Sequence, residues 1–181
     1  SMDATTTGTE NVALGYDALG DNSTGGYNVA IGSRALNATS TASNNVAVGY
    51  DALGADTTGY HNTALGTSAL AANTTGNLNV ALGNAALATQ TTAGSNTAVG
   101  YSALFTNTTG EGNVAIGKDA GLANTTGSSN TFVGLDAATS NTTGHSNTAV
   151  GKTALGANTT GTNNTAVGKN CLLVSTTASD N

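Results

Sequence analysis

The feature that most limits what this chain can fold into is a five-residue phrase that returns every 17 residues. It opens as Asn11-Val12-Ala13-Leu14-Gly15 and returns as Asn28-Val29-Ala30-Ile31-Gly32 and Asn45-Val46-Ala47-Val48-Gly49. Its first position is Asn11, Asn28, Asn45, Asn62, Asn79, Asn96, Asn113, Asn130, Asn147 and Asn164. Its fifth position is Gly15, Gly32, Gly49, Gly66, Gly83, Gly100, Gly117, Gly134, Gly151 and Gly168, with no insertion or deletion between them. A short, fixed period is the signature of a solenoid in which each repeat is one coil stacked on the last. The expected fold is therefore all-β: a parallel β-solenoid of ten 17-residue coils spanning residues 8–181.

Within the phrase, position two is Val or Thr, position three is Ala except at Phe132, and position four is Leu, Ile or Val. Three small or β-favouring residues bounded by Asn and Gly read as a very short strand. Both faces of it are apolar, the pattern of parallel strands buried on two sides. A second short strand is expected at Ala18-Leu19, repeated at Ala35-Leu36, Ala52-Leu53, Ala69-Leu70, Ala86-Leu87, Ala103-Leu104 and Ala154-Leu155. A helix there is rejected, because an isolated helix needs about 12 residues and glycines interrupt every coil.

The coil then turns through Asn73-Thr74-Thr75-Gly76 and its equivalents at 107–110, 124–127, 141–144 and 158–161. Asn or Asp first and Gly fourth suits a type I turn. Ala42, Ala93 and Ala178 replace the Gly in three coils, and the same coils carry Thr39, Gln90 and Ser175 in place of Asn or Asp. The paired change suggests two turn conformations exchanged as units. The invariant phrase glycine calls for φ > 0 or a close backbone contact at a corner.

Composition narrows the function classes. The 181 residues are 38% hydrophobic, 4% aromatic and 8% charged, with no proline and no tryptophan, which suits a thin core of many small layers. A net charge of −6 supplies no basic stripe for nucleic acid. No apolar run approaches the roughly 20 residues of a membrane span. Ser1-Met2 reads as an expression remnant, with residues 1–7 a lead-in, and Asn181 stands where an eleventh phrase would start. On that basis the sequence reads as a piece excised from a longer fibre protein, whose anchor lies elsewhere.

Packing can be anticipated from the coils that break the pattern. Gly121 and Ala138 stand where other coils carry Leu, and Phe132 stands in the Ala column. If volume is being restored, the Ala and Leu columns share one core inside the chain, and the Val/Thr and Leu/Ile/Val columns face partner chains. The alternative is that Leu122 fills the gap by a one-residue shift. Stacked Asn residues are expected to form amide ladders. The few large apolar groups per coil fall short of offsetting the ordering of the coil, which argues for oligomerisation.

Asn-Val-Ala-Ile-Gly, as at 28–32 and 113–117, resembles the head repeats of YadA-type trimeric autotransporter adhesins. Arrays with Asn-Thr-Thr-Gly turns are also similar to those of trimeric phage tail-fibre and surface-fibre proteins. The likeness covers residues 8–181, although the commonest head repeat is shorter than this one. It implies a left-handed β-roll, a homotrimer, and an adhesive or structural role on the bacterial cell surface, outer-membrane-anchored through other parts, or in a virion tail fibre. It carries over no catalytic residue.

No catalytic, cofactor or metal constellation is evident. His61 and His145 are about five coils, or roughly 24 Å, apart. Cys171 replaces a column Ala and reads as a small filler. Asp119 and Asp136 read as solvated carboxylates. The Asn-Thr-Thr sequon is accounted for by the turn. Ice binding is the rival function, but adjacent Thr74 and Thr75 would point to opposite faces if extended. If the segment binds a host glycan or protein, the expected place is the irregular columns of the first four coils, around Tyr27, Tyr60 and His61, with Tyr16 and Tyr50 nearby. Tyr27 and His61 share a column two coils apart.

Overall fold

The computed structural model describes residues 7–181, so the reading of Ser1-Met2 falls outside the described residues. The phrase forms β1 (Val12–Leu14), β2 (Val29–Ile31), β3 (Val46–Val48), β4 (Thr63–Leu65) and β5 (Val80–Leu82). It continues as β6 (Thr97–Val99), β7 (Val114–Ile116), β8 (Thr131–Val133), β9 (Thr148–Val150) and β10 (Thr165–Val167). These ten strands make one parallel sheet in sequence order, each residue paired with its equivalent in the next coil, as Val12 with Val29 and Ala13 with Ala30. At about 4.8 Å per coil the stack is roughly 50 Å tall.

Alternation along each strand sets the inside. The middle residue points inward, and Ala30, Ala47, Ala64, Ala81 and their equivalents are fully buried. Facing them are the Ala18 and Leu19 columns, also fully buried up to Ala154 and Leu155, so the core is two layers of Ala and one of Leu. Phe132 lies in this core beside Gly121 and Ala138, whereas Leu122 stays half-buried outside it. Volume is thus restored by Phe132, and the one-residue shift is not used.

The second strand expected at Ala18-Leu19 and its equivalents does not form. Leu19, Leu36, Leu53, Leu70, Leu87, Leu104 and Leu155 all adopt left-handed φ, between 49° and 53°, inside a turn. Left-handed leucine carries a local cost. Here each such turn aims the leucine side chain into the core, and its amide still bonds across coils, as Leu19 N–H to Ala35 O at 3.1 Å. The coil therefore keeps the inter-coil ladder of a sheet without the extended backbone.

The Asn-Thr-Thr-Gly turns and their Ala-containing variants differ locally, because a Cβ on Gly25 would stand 2.1 Å from the Ala42 carbonyl oxygen of the next coil, closer than the Cβ of an alanine can come. The first inter-coil bond of the turn is kept in both kinds, as Ser23 N–H to Ser40 O (3.1 Å) and Ser40 N–H to Thr57 O (3.2 Å), and in the Gln90–Ala93 coil it lengthens to 3.4 Å, from Thr91 N–H to Thr108 O. Asn22 Oδ1 accepts from Gly25 N–H at 3.0 Å. A Cβ on Gly25 would stand 2.7 Å from that oxygen. Thr39 and Ser175 carry no carboxamide oxygen, and Gln90 instead donates its Nε2 to Ala93 O at 3.1 Å, so in the Ala coils that side-chain contact is absent. The phrase glycines meet both conditions anticipated for them. Their φ lies between 123° and 138°, and a Cβ on Gly83 would lie 2.5 Å from the Gly100 carbonyl oxygen.

Candidate functional site

The phrase asparagines form a structural spine. From Asn28 to Asn164 they are buried, and each bridges two coils. Asn28 N–H donates to Asn11 Oδ1 (2.9 Å), while Asn28 Nδ2 donates to Ala42 O (2.8 Å). Direct amide–amide bonds occur only in places, as Asn79 Nδ2 to Asn62 Oδ1 at 3.1 Å. The spine therefore works mainly by side chain to backbone bonding, which satisfies groups that burial would otherwise leave unpaired.

A second ladder runs through the first residue of the turn, where the sequence suggested only a turn former. Asn124, Asn141 and Asn158 each donate to the carboxamide oxygen of the residue one coil earlier, at 2.9, 2.8 and 2.8 Å. Each also donates to the glycine carbonyl three residues on. The signal that could have found it is the recurrence of Asn at a buried-type period. Because Asn73, Asn107, Asn124, Asn141 and Asn158 are fully buried, their Asn-Thr-Thr sequons are closed to glycosylation in the folded chain.

Asp56 is the one carboxylate in this second ladder. It is fully buried, accepts from Gly59 N–H (3.1 Å) and Asn73 Nδ2 (3.0 Å) through Oδ1, and leaves Oδ2 without a partner. Burial pushes its pKa up to about 7, against the opposing pull of the Gly59 and Asn73 hydrogen bonds.

Of the three expected binding residues, the structure brings two together. Tyr60 and His61 meet edge to face, ring centroids 5.4 Å apart. Tyr27 is exposed in the His61 column, two coils earlier, and makes no ring contact with either. His61 and Tyr27 hold left-handed φ of 57° and 60°, so this column is a corner of every coil.

Chemistry concentrates instead just after the phrase glycine. Tyr16, Tyr50, Tyr101, Lys118, Lys152 and Lys169 share one column, and Asp17, Arg34, Asp51, Asp119 and Asp136 the next. Arg34 pairs with Asp51 at 3.5 Å and Lys118 with Asp119 at 2.8 Å. Hydrogen bonding to Asp119 raises the pKa of Lys118, whose ammonium also lies 5.9 Å from the Tyr101 ring centre. Beside this pair opens a groove of about 450 Å³ lined by Ala85, Tyr101, Ser102, Phe105, Asp119 and Leu122, among others. Sequence reasoning missed it because its walls come from four columns of neighbouring coils, which only the turn path brings together.

Among the described residues no three of His, Cys, Asp and Glu gather as a metal site. Cys171 is half-buried against the last layer of the core. Among the described residues no helix is long and apolar enough to cross a membrane.

These features define a parallel β-solenoid repeat protein held by two buried polar ladders. Comparison with known proteins returns no matching family model, curated protein or solved structure.

Proposed function

We propose that this chain is a head or stalk segment of a trimeric surface fibre, serving as scaffold and adhesive surface rather than as an enzyme. The observation that carries the reading is the outward face of β1–β10. Its two columns, Val or Thr and Leu, Ile or Val, are half-buried or exposed in every coil, with Val46, Leu65 and Ile116 exposed in the interior of the stack. An apolar stripe running the full length of a rod suits lateral association of like rods. Three chains side by side, wound left-handed, are what the resemblance to YadA-type head repeats adds, and a place on a cell surface or in a phage tail fibre follows from the same resemblance. The experiment is native mass spectrometry with a bacterial or host-surface adhesion assay: a trimer that coats and retains cells supports the reading, and a non-adhesive monomer opposes it.

One observation favours a second reading, ice binding. Position 14 of the coil is Thr in all ten coils, Thr24 to Thr177, and all ten are exposed. The neighbouring outward position carries Gly26, Ser43, Tyr60, Asn77 and Glu111, which breaks the second rank of a flat array. A thermal-hysteresis measurement separates the two readings.

A further inference from the structure

Coils six to eight depart from the repeat in several columns at once. Phe105 and Leu122 stand in a column that is otherwise mostly Gly or Ala, Gly121 and Ala138 replace core leucines, and Phe132 replaces a core alanine. A repeat that is regular elsewhere tends to be broken where a function is placed. The groove beside Tyr101 lies at this break.

We propose that this groove is a subsite for a neutral sugar, with one pyranose ring lying against Tyr101 and Phe105. Its size falls within the range of small-ligand sites, about 300–1,000 Å³. Tyr101 is more than half exposed and Phe105 half-buried, so aromatic faces reach the solvent side of the groove. Such faces match the apolar C–H face of a pyranose. Polar groups free for sugar hydroxyls sit at its edge. Among the described residues the Ser102 hydroxyl has no hydrogen-bond partner, and Asp119 holds Lys118 through Oδ2, with no described residue bonded to its Oδ1. Lys118 and Asp119 cancel each other's charge, so the groove favours a neutral ligand over an anionic one. Thr106 supplies no further donor, because its hydroxyl is committed to Leu122 O at 2.6 Å.

A second copy of the chain fits the groove poorly. An interface between parallel rods repeats in every coil, as the outward columns of β1–β10 do, whereas large apolar residues in this column occur only at Phe105, Leu122 and, away from the groove, Leu173. The sugar subsite also lies away from Tyr27, Tyr60 and His61, and it stands independently of trimer formation.

The test uses the full chain with lactose, cellobiose and maltose, by saturation-transfer NMR and calorimetry. At least one sugar is expected to receive saturation through its ring protons. Tyr101→Ser and Phe105→Ala, both outside the core, are expected to weaken it by about tenfold or more each. Tyr16→Ser, in the same column five coils away, is expected to change nothing. Circular dichroism and native mass confirm that each variant folds and assembles as the parent does. The proposal is overturned if none of the three sugars binds, or if binding is unchanged in both groove variants. It is equally overturned if Phe105→Ala alters the native mass rather than sugar affinity, which would assign the groove to a contact between copies. The sugar results leave the scaffold reading untouched, since native mass of the parent chain decides it separately.

Discussion

Phe132 occupies the space that Gly121 leaves empty: a Cβ on Gly121 would stand 2.7 Å from Phe132 Cδ2 and 3.0 Å from Leu104 Cδ2. The two residues are one substitution in physical terms, a leucine removed from one coil and a phenylalanine inserted from the next. Phe132→Ala alone is expected to cost about 3–5 kcal/mol by leaving a cavity. Gly121→Leu alone is expected to cost about 1–3 kcal/mol by overpacking. The left-handed φ of 62° at Gly121 is no obstacle, since Leu104 holds 52° in the same column. The double variant restores the common pattern, so a double-mutant cycle by chemical denaturation should show a favourable coupling of about 1 kcal/mol or more. Additive losses would mean that the two sites do not share a cavity.

The phrase glycines separate strain from collision. Gly83 has φ 135° and a carbonyl one coil on within 2.5 Å of any Cβ, whereas Gly168 has φ 123° and nothing within 4 Å. Gly168→Ala is therefore expected to cost about 1–3 kcal/mol, the strain alone. Gly83→Ala is expected to exceed about 4 kcal/mol or prevent folding. Thermal melts of the two variants check this, and equal losses would contradict the role of the stacked backbone.

How far the sequence carried is seen at these same columns. The ten strands were legible because Asn, a β-favouring triplet and Gly bracket each one, and the period aligns them. The inward face was legible because Phe132 and the missing leucines compensate within the chain. The Ala18-Leu19 turn was not, because no local preference marks a left-handed leucine; stacking and core burial impose it. The paired change at Ala42 and Thr39 was legible as coupling, but not that two oxygens crowd the glycine position, the side-chain oxygen three residues back and the carbonyl of the next coil. Of the candidate site, Tyr60 and His61 were brought together as sequence neighbours, while the Tyr101 groove depends on turns that place residues 85, 105 and 122 side by side.

The side-chain oxygen gives a further test. Gly76→Ala puts a methyl against Asn73 Oδ1 and the Ala93 carbonyl. It is expected to destabilise by about 1–3 kcal/mol. Adding Asn73→Thr, which recreates the pairing of Thr39 with Ala42, should recover part of that loss although it also removes ladder bonds. Denaturant midpoints of the single and double variants decide; a double variant worse than the sum would refute the steric account.

Asp56 makes stability depend on pH. Its folded pKa of about 7 lies above the ordinary 3.8, so the folded state binds the proton more tightly than the unfolded chain. The stabilisation from that proton is complete below 3.8 and is lost as pH rises through about 7. Protonated, Asp56 matches the asparagines of its ladder, with Oδ2–H in the place from which Asn73 Nδ2 donates to Gly76 O. Asp56→Asn is expected to stabilise the chain at pH 8 by on the order of 2–4 kcal/mol and to change little at pH 4. Melting temperatures across that range check it; a variant whose advantage does not grow with pH would contradict the burial of an ionisable group there.

The central claim is that the outward columns of β1–β10 are covered by the same columns of two other chains. Native mass spectrometry of the unmodified chain at micromolar concentration tests it most directly. The account predicts a dominant species of three times the 17.4 kDa chain, with folding and assembly lost together on heating. A monomer of 17.4 kDa that keeps its β-sheet signal and melts cooperatively would contradict it.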